Sequence, residues 1–216
     1  MTTHPPPRGS AQDQCRDVPG RRPVLERQLA FEGLIWDVVR ERIDLGSGTV
    51  VTRDFVQHPG AVAVIAWREP GEVLLLRQYR HAVGRELWEP PAGLLDQVGE
   101  DPLAAAQREL FEEADLAADT WNVLVDFLST PGGSSEAIRI YLARDLRPIP
   151  ESERFAREAE ELDMTERWVP LEKALEAVAE GHMGSPTAVV GLYAVDAARR
   201  MGWASLRPAD APWDRP

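Results

Sequence analysis

Apolar positions alternate in short runs along most of this chain and take a helical period in only three places. Residues 24–31 and 35–43 alternate. Residues 49–58, TVVTRDFVQH, are rich in β-branched side chains and stop at Pro59-Gly60. Residues 61–67 (AVAVIAW) and 72–79 (EVLLLRQY) are apolar runs of strand length, with Pro70-Gly71 between them as a hairpin signal. Residues 88–92 are extended, because Pro90 and Pro91 exclude helix. Residues 121–128, 137–142 and 167–169 complete the strand candidates. The first helix follows Asp101-Pro102, with Leu103, Ala106, Leu110 and Ala114 as its apolar stripe. Residues 171–180 and 186–201 are amphipathic helices, the first ending at Gly181. Mostly strands, one central helix and helices near the end predict an α+β fold rather than a regular βαβ wind.

Composition shifts divide the chain. Residues 1–22 are rich in proline, glycine and polar side chains and are expected to be a disordered arm. Residues 23–58 form an N-terminal strand region, residues 59–205 the main domain, and residues 206–216 a proline-rich, irregular tail. Residues 148–162 are charged and weakly patterned, which predicts a mobile loop with some helix.

The central helix carries the chemistry. Glu109, Glu112 and Glu113 are three and four residues apart and share one face, opposite the apolar stripe. A cluster of this kind often faces water, paired to arginines. Like charges gathered at one point are instead stabilised by a hard cation, which takes oxygen ligands and bridges carboxylates to substrate phosphates.

Charge is consistent with that chemistry. Acidic residues outnumber basic ones 36 to 24 over 216 residues, a net charge of -12. This disfavours nucleic acid as a partner. A single cysteine, Cys15, leaves no disulfide framework within the chain. No apolar run is long enough for a membrane span, and no signal-peptide core opens the sequence, so the cytoplasm is the expected location.

The stretch from Gly93 resembles the signature of the Nudix hydrolases, which act on nucleoside diphosphates linked to another moiety. That pattern is Gly, five residues, Glu, seven residues, then Arg-Glu-apolar-x-Glu-Glu-x-Gly-apolar. Gly93, Glu100, Arg108, Glu109, Leu110, Glu112, Glu113 and Leu116 match it. Six residues rather than five precede Glu100, and Asp115 stands at the second glycine. Insertion is tolerated in a loop, and Asp is among the residues that best accept a left-handed helix end. The resemblance implies a mixed β-sheet sandwiched between α-helices, with an N-terminal β-strand extension. It implies Mg2+ or Mn2+ on Glu109, Glu113 and the Ala92 carbonyl, shared with Glu112. Arg108 and Glu100 would brace the array.

Within the family, residues 24–201 look most similar to bacterial ADP-ribose pyrophosphatases, through RQYRHAVGRELWEPPAGLLD at 77–96 and Pro131 downstream. That resemblance implies hydrolysis of ADP-ribose to AMP and ribose 5-phosphate by a homodimer. Arg80 matches an arginine on the substrate diphosphate. Trp36 stands where relatives stack an aromatic on adenine, often across the dimer interface; a packed core tryptophan is the other reading. Arg53 reaches substrate or faces solvent. Glu161, with Glu160 as the alternative, matches a loop glutamate that aligns or deprotonates the attacking water. Other nucleoside diphosphate sugars or dinucleotides remain open as substrates, as does a non-catalytic ADP-ribose sensor.

Overall fold

The computed structural model describes residues 17–155 and 164–216. Strands β1 (Val24–Phe31), β2 (Asp37–Asp44) and β3 (Val50–Gln57) form a three-stranded antiparallel meander. It precedes the main domain and stands apart from its sheet. The alternation read from the sequence gives these strands one apolar set each, yet β1 is exposed along its whole length.

The main sheet is built on β4 (Ala61–Arg68), whose residues from Ala61 to Trp67 are all buried. A hairpin leads to β5 (Glu72–Arg80), then β6 (Arg85–Glu89) and β7 (Ala92–Leu94). Pro90 and Pro91, which lack donors, separate the last two, so the extended stretch expected at 88–92 becomes two short strands. β7 returns antiparallel to β4, pairing Gly93 with Val62. Helix α1 (Pro102–Ala114) follows, then the long β8 (Leu116–Leu128) and β9 (Ala137–Pro148). β9 runs parallel to β4 and antiparallel to β8. β10 (Thr165–Pro170) pairs with β5, and α2 (Leu171–Ala179) and α3 (Pro186–Arg200) come next.

Alternation along β4 feeds two cores. Ala61, Ala63, Ile65 and Trp67 pack with Leu171, Leu192 and Val195 of α2 and α3. Val62, Val64 and Ala66 pack with Ala105, Ala106, Leu110 and Ala114 of α1. The result is a mixed sheet between helices, the α+β sandwich expected from the sequence.

The C-terminal segment differs from the irregular tail expected. β11 (Arg207–Pro208) pairs with Asn122 and Val123 of β8. Arg139, only 2% exposed, holds the segment down. Its guanidinium forks onto Asp126 at 2.7 and 3.0 Å and donates to the carbonyls of Ala211 and Pro212 at 2.7 and 3.1 Å. A buried guanidinium has five donors to satisfy, and the tail supplies acceptors that an apolar pattern does not reveal.

Candidate active site

The site is assembled by α1 against β7. Asp101 caps α1, accepting from the backbone N–H groups of Leu103 and Ala104 at 2.9 and 3.4 Å, and Pro102 occupies the first turn. Asp115 ends the helix in the left-handed region at φ 52°, the conformation that the family glycine would supply. The extra loop residue is absorbed in a turn in which the Glu100 N–H donates to the Gln97 carbonyl at 3.2 Å, with Gly99 at φ 81°. Both departures from the signature leave Glu109, Glu112 and Glu113 on α1.

Arg108 organises the carboxylate face. Its Nε and Nη2 donate to Glu100 at 2.9 and 3.1 Å. Its Nη1 donates to Glu109 at 2.7 Å and to Glu112 at 3.1 Å. One cation thereby ties together three of the four signature glutamates. The Arg108 hydrogen bonds hold the Glu100 carboxyl below its usual range. Burial dominates at Glu109, which is 8% exposed, and raises its carboxyl above the usual range despite Arg108. Arg108 itself is raised, chiefly by its bond to Glu100.

Glu113 is also 8% exposed and accepts from the Ala92 N–H at 2.9 Å. Beside it, Gly93 is pressed against Glu109: a Cβ built on Gly93 would lie 1.8 Å from Glu109 Oε1. The signature glycine is therefore required by close approach, not by its own φ. Among the described residues, no three acidic, histidine or cysteine side chains converge on one point at ligand spacing, because Arg108 draws Glu109 and Glu112 to itself. The donor set nonetheless fits a hard divalent cation. All its ligands are oxygens, two of the carboxylates are buried, and ionised Glu109 is disfavoured by burial in a way a cation would reverse.

Arg80 joins this group. Its Nε and Nη2 donate to Glu89 Oε2 at 3.0 and 2.6 Å, and both residues line a narrow cleft with Gln78, Ala92, Glu113 and Met164. Glu89, 8% exposed, was not singled out from the sequence. Its one signal is that it is wedged between Trp88 and the prolines of an otherwise apolar run. Arg77, in contrast, pairs with Glu86 and lies over Trp88, away from the cleft.

Other expected residues lie elsewhere. Trp36 is 40% exposed and stacks on His58, with ring centroids 5.1 Å apart. Arg53 is exposed on β3 and donates to the Thr52 carbonyl at 2.9 Å. Pro131 sits in an exposed turn, where Gly133 and Ser134 donate to the Thr130 carbonyl. Among the described residues of one chain, none of these three contacts the Arg80–Glu113 group. The loop after Pro131 docks on β3 through Val56 and on His58, whose backbone N–H donates to Ser135 Oγ at 3.0 Å. Glu160 and Glu161 lie outside the described residues.

With this geometry in hand, similarity to known proteins is specific. The NUDIX domain profile matches residues 57–188. The chain is 44% identical over 194 residues to an ADP-ribose pyrophosphatase of Mycobacterium tuberculosis (strain ATCC 25618 / H37Rv), covering 89% of this chain and 92% of that one. It is 34% identical over 155 residues to an ADP-ribose pyrophosphatase of Bacillus subtilis (strain 168), covering 72% and 82%. A solved structure of an ADP compounds hydrolase superimposes with a TM-score of 0.71 at 19% identity, over 87% of this chain and 99% of that one. The chain belongs to the Nudix family.

Proposed function

We propose that this Nudix protein hydrolyses the diphosphate of ADP-ribose, giving AMP and ribose 5-phosphate, as a cytoplasmic homodimer dependent on Mg2+ or Mn2+. The observation that carries this reading is two buried glutamates on one helix, Glu109 braced by Arg108 and Glu113 sharing a cleft with Arg80. The activity for which the two relatives are named identifies the substrate to test first.

Glu109, Glu113 and the Ala92 carbonyl would hold the metal, with Glu112 sharing it; when bound, the ion neutralises charge developing on the diphosphate and lowers the pKa of a coordinated water. Arg108 keeps three glutamates aligned without ligand. Arg80 exchanges Glu89 for a diphosphate oxygen, which its planar donors suit. Glu161, with Glu160 as the alternative, takes the proton from the attacking water. Water adds to one phosphorus, the bridging P–O bond breaks, and the leaving phosphate departs as one product. Trp36 and Arg53 act on the purine end of substrate held by the other protomer.

The test is to incubate the chain with Mg2+ and ADP-ribose and measure AMP. AMP release that falls by about a thousandfold in Glu113→Gln is expected, since one positioned electrostatic group contributes on that order. No AMP release, or faster turnover of another nucleoside diphosphate sugar, overturns the substrate. Unchanged turnover in both Glu112→Gln and Glu113→Gln overturns the metal assignment.

A further inference from the structure

β4 stops at Arg68, while its parallel neighbour β9 continues to Pro148, opposite the start of β8 at Leu116. The sheet therefore has a notch where β4 would have continued. The notch is a cavity of about 560 Å³ whose walls include Trp67, Arg68, Arg144, Leu146 and Trp168. That volume is typical of small-molecule sites. Gly93 pairs with Val62, and Trp67 lies five residues further along β4, about 17 Å at the rise of a strand. The notch shares no lining residue with the Arg80–Glu113 cleft, although Leu116 in its wall follows Glu113 by three residues.

Its chemistry is defined by what is left unsatisfied. Arg144 Nη2 donates to Asn122 Oδ1 at 3.2 Å, and its guanidinium lies 5.2 Å from the Trp203 ring centroid. Arg144 Nε is buried with no acceptor among the described residues. A buried donor without a partner is costly, so the site stands to gain from an anion. Arg68 spreads over the Trp168 ring at 4.1 Å while its Nε donates to Glu72 at 2.8 Å. The two carboxylates lining the notch are already engaged. Glu69 accepts from Trp67 Nε1 at 3.2 Å, and Asp145 accepts from the Thr120 hydroxyl. Leu116 and Leu146 supply apolar wall.

We propose that this notch is a second ligand site, which takes an aromatic anion of mononucleotide size. The ring lies against the Trp168–Arg68 pair, and the acid group pairs with the Arg144 guanidinium, which turns to bring its buried Nε to the ligand. A neutral ring leaves the buried donor unsatisfied. The Trp168–Arg68 pair favours planar ligands over aliphatic acids, because stacking on an aromatic face and a guanidinium plane rewards a flat partner. The proposal is independent of the hydrolase reading.

The test is calorimetric titration of the full chain with AMP in excess EDTA, which withholds divalent ions from Glu109 and Glu113. Saturable binding is expected. Trp168→Leu and Arg144→Gln should each weaken it by about tenfold or more, as for loss of a charged hydrogen bond or a stacking face. Adenosine, which lacks the phosphate, should bind weaker by a similar factor, and Arg80→Gln should leave binding unchanged. Absence of binding at millimolar AMP overturns the proposal. So does binding that survives both notch substitutions, or that is lost in Arg80→Gln. Trp168 is half-buried, so its variant keeps the test open if Arg144→Gln fails to fold. Hydrolysis of ADP-ribose without EDTA-resistant AMP binding overturns the notch alone; the converse overturns the hydrolase reading alone.

Discussion

Gly93 has no room for a side chain. A methyl there would overlap the Glu109 carboxylate, which is flanked by Arg108 and buried, so Glu109 or β7 must move. Gly93→Ala is expected to lower kcat/KM for ADP-ribose by about a hundredfold, because a shift on the order of 1 Å in a positioned group costs that much. Thermal unfolding should show a far smaller effect, and equal loss of both would mean the glycine serves folding only. His58 makes a second prediction. Its Nδ1 accepts from the Gly60 N–H at 3.0 Å, which leaves Nε2 to face Glu136 Oε1 at 3.3 Å, and Trp36 covers the ring. Burial lowers the His58 pKa from 6.5, and Glu136 opposes this only in part. The unfolded chain therefore takes up the proton first as pH falls, so stability drops below about pH 6.5 and levels off beneath the folded pKa. Comparing denaturant midpoints at pH 7.5 and 5.5 checks this: His58→Gln should lose less stability over that interval than the native chain. A steeper loss in the variant would show that the histidine is not held neutral. Neither effect was visible in the sequence. Spacing marks Gly93 and Glu109 as partners, but it says nothing of the 1.8 Å approach, and His58 meets Glu136 only because two distant segments dock.

Elements were read more fully than side-chain roles, and α1 shows why. Its cap, its proline start and its apolar stripe are local, so they are legible without tertiary context. Asp101→Ala removes the acceptor for two otherwise unpaired N–H groups and should cost about 1 kcal/mol. For a chain of this length that is a fall in Tm of about 2–4 °C, measurable by calorimetry; no change would mean that packing alone fixes the start of α1. Elements set by pairing were read less well. β8 begins at Leu116 rather than at residue 121, and β9 runs to Pro148, because the two strands support each other beyond their apolar segments. β11 is held through buried Arg139 and half-buried Asp126, an ion pair without periodicity. The strand–helix framework around the signature was legible. The notch beside Trp67 was not, since it arises from where one strand ends relative to another.

At the scale of the molecule, the N-terminal meander lacks a core of its own. Leu25 and Leu29 are 54% and 51% exposed, and Phe31 at 64% continues the apolar edge. Isolated small sheets are marginal, and exposed apolar side chains gathered on one strand suit an interface. A second copy of this chain would supply a matching surface by two-fold symmetry. Sedimentation should give twice the mass of the chain, and a Leu25→Lys, Leu29→Lys double variant should give the single mass. The same symmetry bears on Trp36 and Arg53, which among the described residues make no contact with the Arg80–Glu113 cleft of their own chain. If Trp36 serves the partner's site, Trp36→Ala and Glu113→Gln damage complementary halves of one site. Mixing the two variants under conditions of subunit exchange leaves about half the dimers mixed, each with one complete site, so about a quarter of native activity should return. If Trp36 acts within its own chain, a mixed dimer contains no complete site and mixing restores nothing. The outcome separates a tryptophan that merely packs on His58 from one that makes each active site depend on two chains.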